Sequence, residues 1–206
     1  MKNNCTLYIV RHGETEWNVK HIIQGHKNVG INNTGKKQVS ALTKRLQPIQ
    51  FDAIFSSDLL RTKQTADILN MERKLALVTT EALRERYFGK FEGQNARTFF
   101  KEVKDLLKEY ETLSDENKRK FRYPTAESDE EMISRVITYI REIAVAYAGK
   151  KVLVVTHGGV IRILLIHLGY ATYDNFSTNA ITNASYVKIE SDGVDFFVKE
   201  THGIAK

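Results

Sequence analysis

The 206-residue sequence has little of several things, and each shortage excludes a class of protein. There is one cysteine, Cys5. No internal disulfide framework can form, and the chain reads as one suited to a reducing, cytoplasmic compartment. Cys5 itself is expected to be an ordinary buried or edge thiol. The longest apolar stretches fall far short of the roughly 20 residues that a membrane span requires. Met1-Lys2-Asn3-Asn4-Cys5-Thr6 offers no apolar leader and no small-residue cleavage site. Only two prolines occur, and no repeat, low-complexity tract or linker interrupts the chain. One domain over residues 1–206 is expected. The histidines form no His-x-x-His or His-Glu-x-x-His spacing, and no Gly-x-Ser-x-Gly elbow is present. The motifs therefore contain neither a metal-ligand set nor a serine hydrolase.

What is present is an ordinary globular composition with a net charge of +6, which favours anionic partners. The densest basic run, Lys118-Arg119-Lys120-Phe121-Arg122, sits beside Glu-rich sequence and lacks any nucleic-acid-binding pattern. It reads as a solvated helix face. The charge therefore points to an anion, of which a small phosphorylated molecule is one kind, with no nucleic acid and no membrane expected.

Leu7-Tyr8-Ile9-Val10 is a short apolar run that empties into Arg11-His12-Gly13. Val152-Leu153-Val154-Val155-Thr156 does the same into His157-Gly158-Gly159. Both read as strands buried on two faces, which deliver functional residues at their carboxyl ends. If the strands are neighbours, the two imidazoles face one another across a pocket. Between them, Asn32, Asn33 or Thr34 caps a helix to about Leu46, and Pro48 closes that segment. Phe51 to Ser56 is a strand, Ser57 or Asp58 caps the helix carrying Arg61, and Ala76 to Thr79 is a third strand. This is βαβαβ spacing. The polar stretch Glu14 to Asn18 reads as loop. From about Asn95 to Arg122 the chain is charged and helical, with Phe99, Val103, Leu106, Leu107 and Tyr110 on one face, until Tyr123-Pro124 breaks it. Glu127 and Ser128 open a long helix ending at Gly149, and Gly159 to Leu168 is a buried helix. Ser191-Asp192-Gly193 is a hairpin signal. The expectation is a three-layer α/β/α fold with a mainly parallel central sheet and a helical lid insertion over about residues 95–126.

Arg11 at a strand end calls for an anion. His157 lies opposite, and Gly158 and Gly159 open a helix whose N–H groups and dipole suit phosphate. Arg61, in the first turns of a helix after a strand, reaches the same sheet edge. With metal and serine chemistry set aside, a neutral imidazole remains as the nucleophile toward phosphorus, while the arginines neutralise the equatorial oxygens. The leaving alkoxide needs a proton, and Glu85 and Glu92 are the available acids.

These residues resemble the histidine phosphatase superfamily, also called phosphoglycerate mutase-like. Arg11-His12-Gly13-Glu14-Thr15 matches its signature, and Trp17-Asn18 extends it. Gln24-Gly25, Ser56-Ser57-Asp58 to Arg61-Thr62-x-x-Thr65-Ala66, Leu83-Arg84-Glu85 to Glu92-Gly93, and Thr156-His157-Gly158 carry the resemblance over nearly the whole chain. It implies His12 as the phosphorylated nucleophile and Glu85 as proton donor. Arg11, Arg61 and His157 would form a phosphate cradle, joined by Asn18 and the Gly158 amide, with Gln24 and Gly25 beside the substrate. Arg86, after the acid, has a counterpart in the mutases and joins the substrate-binding set. The family often has Asp and Pro where this chain has Asn28 and Gly30, and Pro-x-Gly-Glu-Ser where it has Pro124 to Ser128. The insertion is shorter than in metabolic mutases and looks like the phosphatase branch, with its basic cluster toward solvent. The resemblance thus implies a phosphomonoesterase that needs no cofactor and no metal. Its rivals are a phosphoglycerate mutase and a non-catalytic phospholigand-binding module. A monomer or homodimer is expected.

Overall fold

The structure is a computed structural model, and it describes residues 4–177 and 179–205. Six strands form one sheet in the order β3-β2-β4-β1-β5-β6. These are β1 (Cys5–Arg11), β2 (Ala53–Ser57), β3 (Leu77–Thr80), β4 (Lys151–Thr156), β5 (Ile181–Ser191) and β6 (Phe196–Ile204). The first four run parallel, and β5 and β6 continue the sheet antiparallel. The fold is α/β, with helices on both faces.

Strand periodicity accounts for the two layers. Leu7 and Ile9 of β1, with Val152 and Val154 of β4, pack in one core with α7 (Asp129–Ala146) and α8 (Gly158–His167). Tyr8, Val10, Leu153 and Val155 point the other way, into a core with α2 (Asn33–Leu46) and α3 (Leu60–Asn70). Both faces are covered, so both strands read as continuous apolar runs. Asn32 caps α2 through its side chain on Gly35 N–H, and Ser128 forms a capping box with Glu131 at the start of α7.

Several local expectations change. The segment after His12 is not all loop: Thr15 forms a capping box with Asn18 around one helical turn, α1 (Glu16–Val19). Neither Ser57 nor Asp58 is the N-cap of α3. That position is Leu59, which has no side-chain cap, and the Leu60 N–H is taken instead by Asn28 Oδ1 at 2.9 Å. The hairpin strands are longer than the apolar runs suggest, because β5 and β6 pair from Ile181 to Ser191. At their turn, Asp192 Oδ1 accepts from Val194 and Asp195 N–H groups.

The insertion breaks into α4 (Ala96–Glu102), α5 (Lys104–Glu111) and α6 (Asp115–Lys120). Phe99 and Val103 join Phe91 in a third, small core, with Leu106, Leu107 and Tyr123 packed against it. This core lies over the carboxyl edge of the sheet. The basic run is not simply a solvated face: Lys118 is buried and forms an ion pair with Asp174 at 2.7 Å. No helix among the described residues is long and apolar enough to cross a membrane.

Candidate active site

The register of β1 against β4 builds the centre. Val10 pairs with Val155 and Arg11 with Thr156, so the next residues, His12 and His157, leave their strands side by side. Neighbouring strands lie about 4.8 Å apart, and the two imidazole centroids are 5.3 Å apart. Alternation sends both rings to the α3 side. It sends Arg11 the other way, toward the first turn of α8.

Each histidine is held in one tautomer. His12 Nδ1 lies 2.7 Å from its neighbour's carbonyl, Gly13 O, so Nδ1 must carry the proton and Nε2 the lone pair. Its backbone is fixed from both sides: His12 N–H donates to Thr156 O, and His12 O accepts from Ala184 N–H and the Asn183 amide. For His157, Arg61 Nε donates to Nδ1 at 3.2 Å, which leaves the proton on Nε2. That Nε2 is buried and has no partner among the described residues. Burial, then the positive charge of Arg61, holds both imidazoles well below their ordinary pKa, and Arg11 adds to the effect at His12.

Arg61 is almost fully buried. Besides His157 it donates to Lys27 O at 2.9 Å and Gly25 O at 2.8 Å, and burial lowers its pKa to about 10. Gly25 sits at φ +48°, and a Cβ there would fall 2.1 Å from Glu92 Oε1. Arg11 is anchored on Ile181 O, with its Nε buried and unpartnered. A Cβ on Gly158 would approach that Nε to 3.0 Å, so the glycine lets α8 start against the guanidinium. The Gly158 N–H lies in the first turn of α8, where no intrahelical acceptor exists.

Glu85 lies at the same helix end. Its carboxyl oxygens accept from Gly159 N–H at 3.0 Å and Arg86 N–H at 2.9 Å. Glu92, the other acid available from sequence, is occupied elsewhere: one of its oxygens accepts from the His26 and Phe88 N–H groups. Arg86 forms an ion pair with Asp129 at the start of α7. Asn18 turns its amide oxygen to Thr15 and Asn183. Gln24 is buried, with an unpartnered Oε1.

One cavity of about 490 Å3 is lined by Arg11, His12, Asn18, Gln24, Gly25 and Arg61, and also by Glu85, Arg86, Gly158 and Gly159. His157 is not itself among the lining residues, and its ring lies beside that of His12, which is. The opposite wall comes from the insertion, through Phe99, Phe100, Tyr110, Phe121 and Tyr123. Among the described residues, no group of three or more His, Cys, Asp or Glu is placed to hold a metal ion.

Sequence reasoning missed several supports. Arg135 of α7 donates to Ala82 O, Arg84 O and Glu85 O and forms an ion pair with Glu127, which clamps the loop bearing the acid. His26 Nε2 lies 2.8 Å from the same Glu85 O. Asn183 joins the His12 backbone to Asn18. None of these positions carries a local motif, because each works on backbone atoms distant in sequence.

The family model for the histidine phosphatase superfamily, branch 1, matches residues 7–202. The chain belongs to that superfamily. This histidine phosphatase is 34% identical over 211 residues to the broad-specificity phosphatase YOR283W of Saccharomyces cerevisiae, covering 96% of this chain and 85% of that one. It is 31% identical over 182 residues to the uncharacterized phosphatase PhoE of Bacillus subtilis, covering 88% and 86%. A phosphoglycerate mutase from Bacillus anthracis superposes with a TM-score of 0.84 at 29% identity, covering 98% of this chain and 94% of the other. The chain is a phosphomonoesterase of this family, related to the phosphoglycerate mutases.

Proposed function

We propose that this enzyme hydrolyses a small phosphorylated metabolite by way of a phosphohistidine on His12. The observation that carries the reading is the His12 tautomer, with Nδ1–H on Gly13 O and the Nε2 lone pair left for attack. Neutrality is secured by burial and by the two nearby arginines. In the first step Nε2 forms a bond to phosphorus and the ester P–O bond breaks. The Glu85 carboxyl gives its proton to the departing oxygen. Arg11, the Gly158 N–H and the unpartnered His157 Nε2–H stabilise the phosphoryl oxygens. In the second step water attacks phosphorus, Glu85 takes the water proton, and His12 leaves as the neutral ring with inorganic phosphate as product. Arg61 orients His157 and carries positive charge beside both rings. Asn18, Gln24, Gly25 and Arg86 border the space for the rest of the substrate.

A mutase would instead return the phosphoryl group to substrate, and the roof formed by the insertion gives that reading one observation in its favour. Partition decides between them. With 3-phosphoglycerate and a trace of 2,3-bisphosphoglycerate, and in parallel with an aryl phosphate, free phosphate is expected to form faster than 2-phosphoglycerate. Isomerisation exceeding phosphate release by tenfold, about 1.4 kcal/mol in barrier height, would replace the phosphatase reading with the mutase one.

A further inference from the structure

The segment that carries Glu85 has no hydrogen-bond ladder of its own. Residues 84–88 lie between two short 3-10 turns, Glu81–Leu83 and Gly89–Phe91, and belong to no strand or helix. Their carbonyls must find partners elsewhere. From Ala82 to Glu85, four carbonyls in succession do so. Ala82 O and Arg84 O accept from Arg135 Nη1 at 2.9 and 2.8 Å. Leu83 O accepts from Thr156 Oγ1 at 2.8 Å, and Glu85 O from Arg135 Nη2 at 3.0 Å. The other two N–H groups of Arg135 go to Glu127, Nε to Oε1 at 2.7 Å and Nη2 to Oε2 at 2.8 Å. Every donor of the guanidinium fork is used. Glu127 is tied in turn to the far side of the acid. Its Oε2 accepts from Tyr87 N–H, and its own N–H donates to Tyr87 O. The loop is gripped before, at and after Glu85.

The grip is anchored in the core. Met132 and Val136, beside Arg135 on α7, are buried in the cluster that also holds Leu7 and Ile9 of β1 and Val152 and Val154 of β4. His12 and His157 leave those two strands. A close-packed layer of this kind does not yield readily, so Arg135 refers the acid to the same frame as the two histidines. The carboxyl needs that reference. Of its two hydrogen bonds, the one from Arg86 N–H belongs to the loop itself and would move with it. The bond from Gly159 N–H is the tie to α8. Proton transfer requires hydrogen-bond reach of roughly 2.6–3.2 Å, and a misplacement of about 1 Å can cost about a hundredfold.

We propose that Arg135 is a positioning residue for the reaction: by fixing the carbonyls of the acid loop, it sets the reach of the Glu85 carboxyl to the leaving oxygen. Arg135 does not line the catalytic cavity and acts through Glu85. Its charge also bears on His157, so charge and geometry must be separated. Arg135→Lys keeps the charge, but one ammonium cannot span three carbonyls and a carboxylate as the planar fork does. This inference rests on the reading of Glu85 as proton donor given above.

The test compares glycerol phosphate, whose alkoxide needs a proton to leave, with p-nitrophenyl phosphate, whose phenolate does not. It is read in kcat/KM, which reports the step that breaks the ester bond. Arg135→Lys and Arg135→Met should each lose about tenfold or more on the alkyl ester, part of the usual acid contribution, and about twofold or less on the aryl ester. Vanadate inhibition, which reads the phosphoryl cradle, should stay within about twofold of wild type in both variants. In a Glu85→Gln background the same changes at Arg135 should cost nothing further, because two residues that act through one group are not additive. Equal losses on both esters overturn the proposal, as does a loss repeated in full in the Glu85→Gln background. So does failure of both variants to fold, which would make the clamp structural only. If Glu85→Gln alone affects both esters equally, the acid assignment itself falls and takes this inference with it, a result seen with Arg135 untouched.

Discussion

At the scale of single residues, the site works by deciding where protons sit before substrate arrives. Gly13 O takes the Nδ1 proton of His12, and Arg61 takes the Nδ1 lone pair of His157, so adjacent rings have opposite tasks. One presents a lone pair and the other an N–H. In the proposed mechanism Glu85 changes protonation during turnover, and its carboxyl is aimed by two backbone N–H groups, those of Arg86 and Gly159. Leaving-group dependence isolates its role. Glu85→Gln keeps the shape but has no proton to give, so alkyl phosphates should lose about a hundredfold or more in kcat, in the range typical of general acid catalysis. Aryl phosphates, whose leaving groups depart without a proton, should lose far less. Equal losses on both ester types would remove Glu85 from the acid role.

At the scale of elements, much was legible in the sequence because strand ends and helix starts coincide with the motifs. The alternation of β1 and β4, and the expectation that they are neighbours, place Arg11, His12 and His157 at one edge. Their observed register adds which face each side chain takes. The part that was not legible concerns groups satisfied across long distances. Arg135 looks like any polar residue of an amphipathic helix, yet it holds three carbonyls of the acid loop. Read locally, Ser57 or Asp58 is the expected cap of α3. The observed cap comes from Asn28, 32 positions earlier, which no local signature announces. Asp58 instead forms an ion pair with Arg84. Asn28→Ala should cost about 1 kcal/mol of stability, the usual value of a side-chain cap, read as a fall in the urea midpoint. An unchanged midpoint would mean that α3 does not depend on this bond.

At the scale of the whole molecule, two faces of the sheet supply stability while the carboxyl edge, roofed by the insertion, supplies the site. The roof was legible as an insertion and as an apolar face on Phe99, Val103 and Tyr110. The inward turn of Lys118 was not, since pairing with Asp174 depends on a loop more than 50 residues away. Placing two neutral imidazoles in the centre has a global cost. The folded-state pKa of each is lowered, so below about pH 6.5, the ordinary histidine value, the unfolded chain binds protons that the native state does not. Stability is therefore present above that pH and falls as pH drops through it, by about 1.4 kcal/mol per pH unit for each such histidine. His167 and His202 are shifted the same way, chiefly by burial, and add to the slope. Urea midpoints between pH 7 and 5.5 should show this decline, and His12→Asn should make it shallower. A flat profile would contradict the neutral-imidazole account. The central claim, however, is covalent. The wild-type enzyme, quenched during turnover of a labelled phosphomonoester, should carry phosphate that survives base, is lost in acid, and maps to His12, and His12→Ala should carry none. Label retained at another residue, or persisting in His12→Ala, would contradict the mechanism.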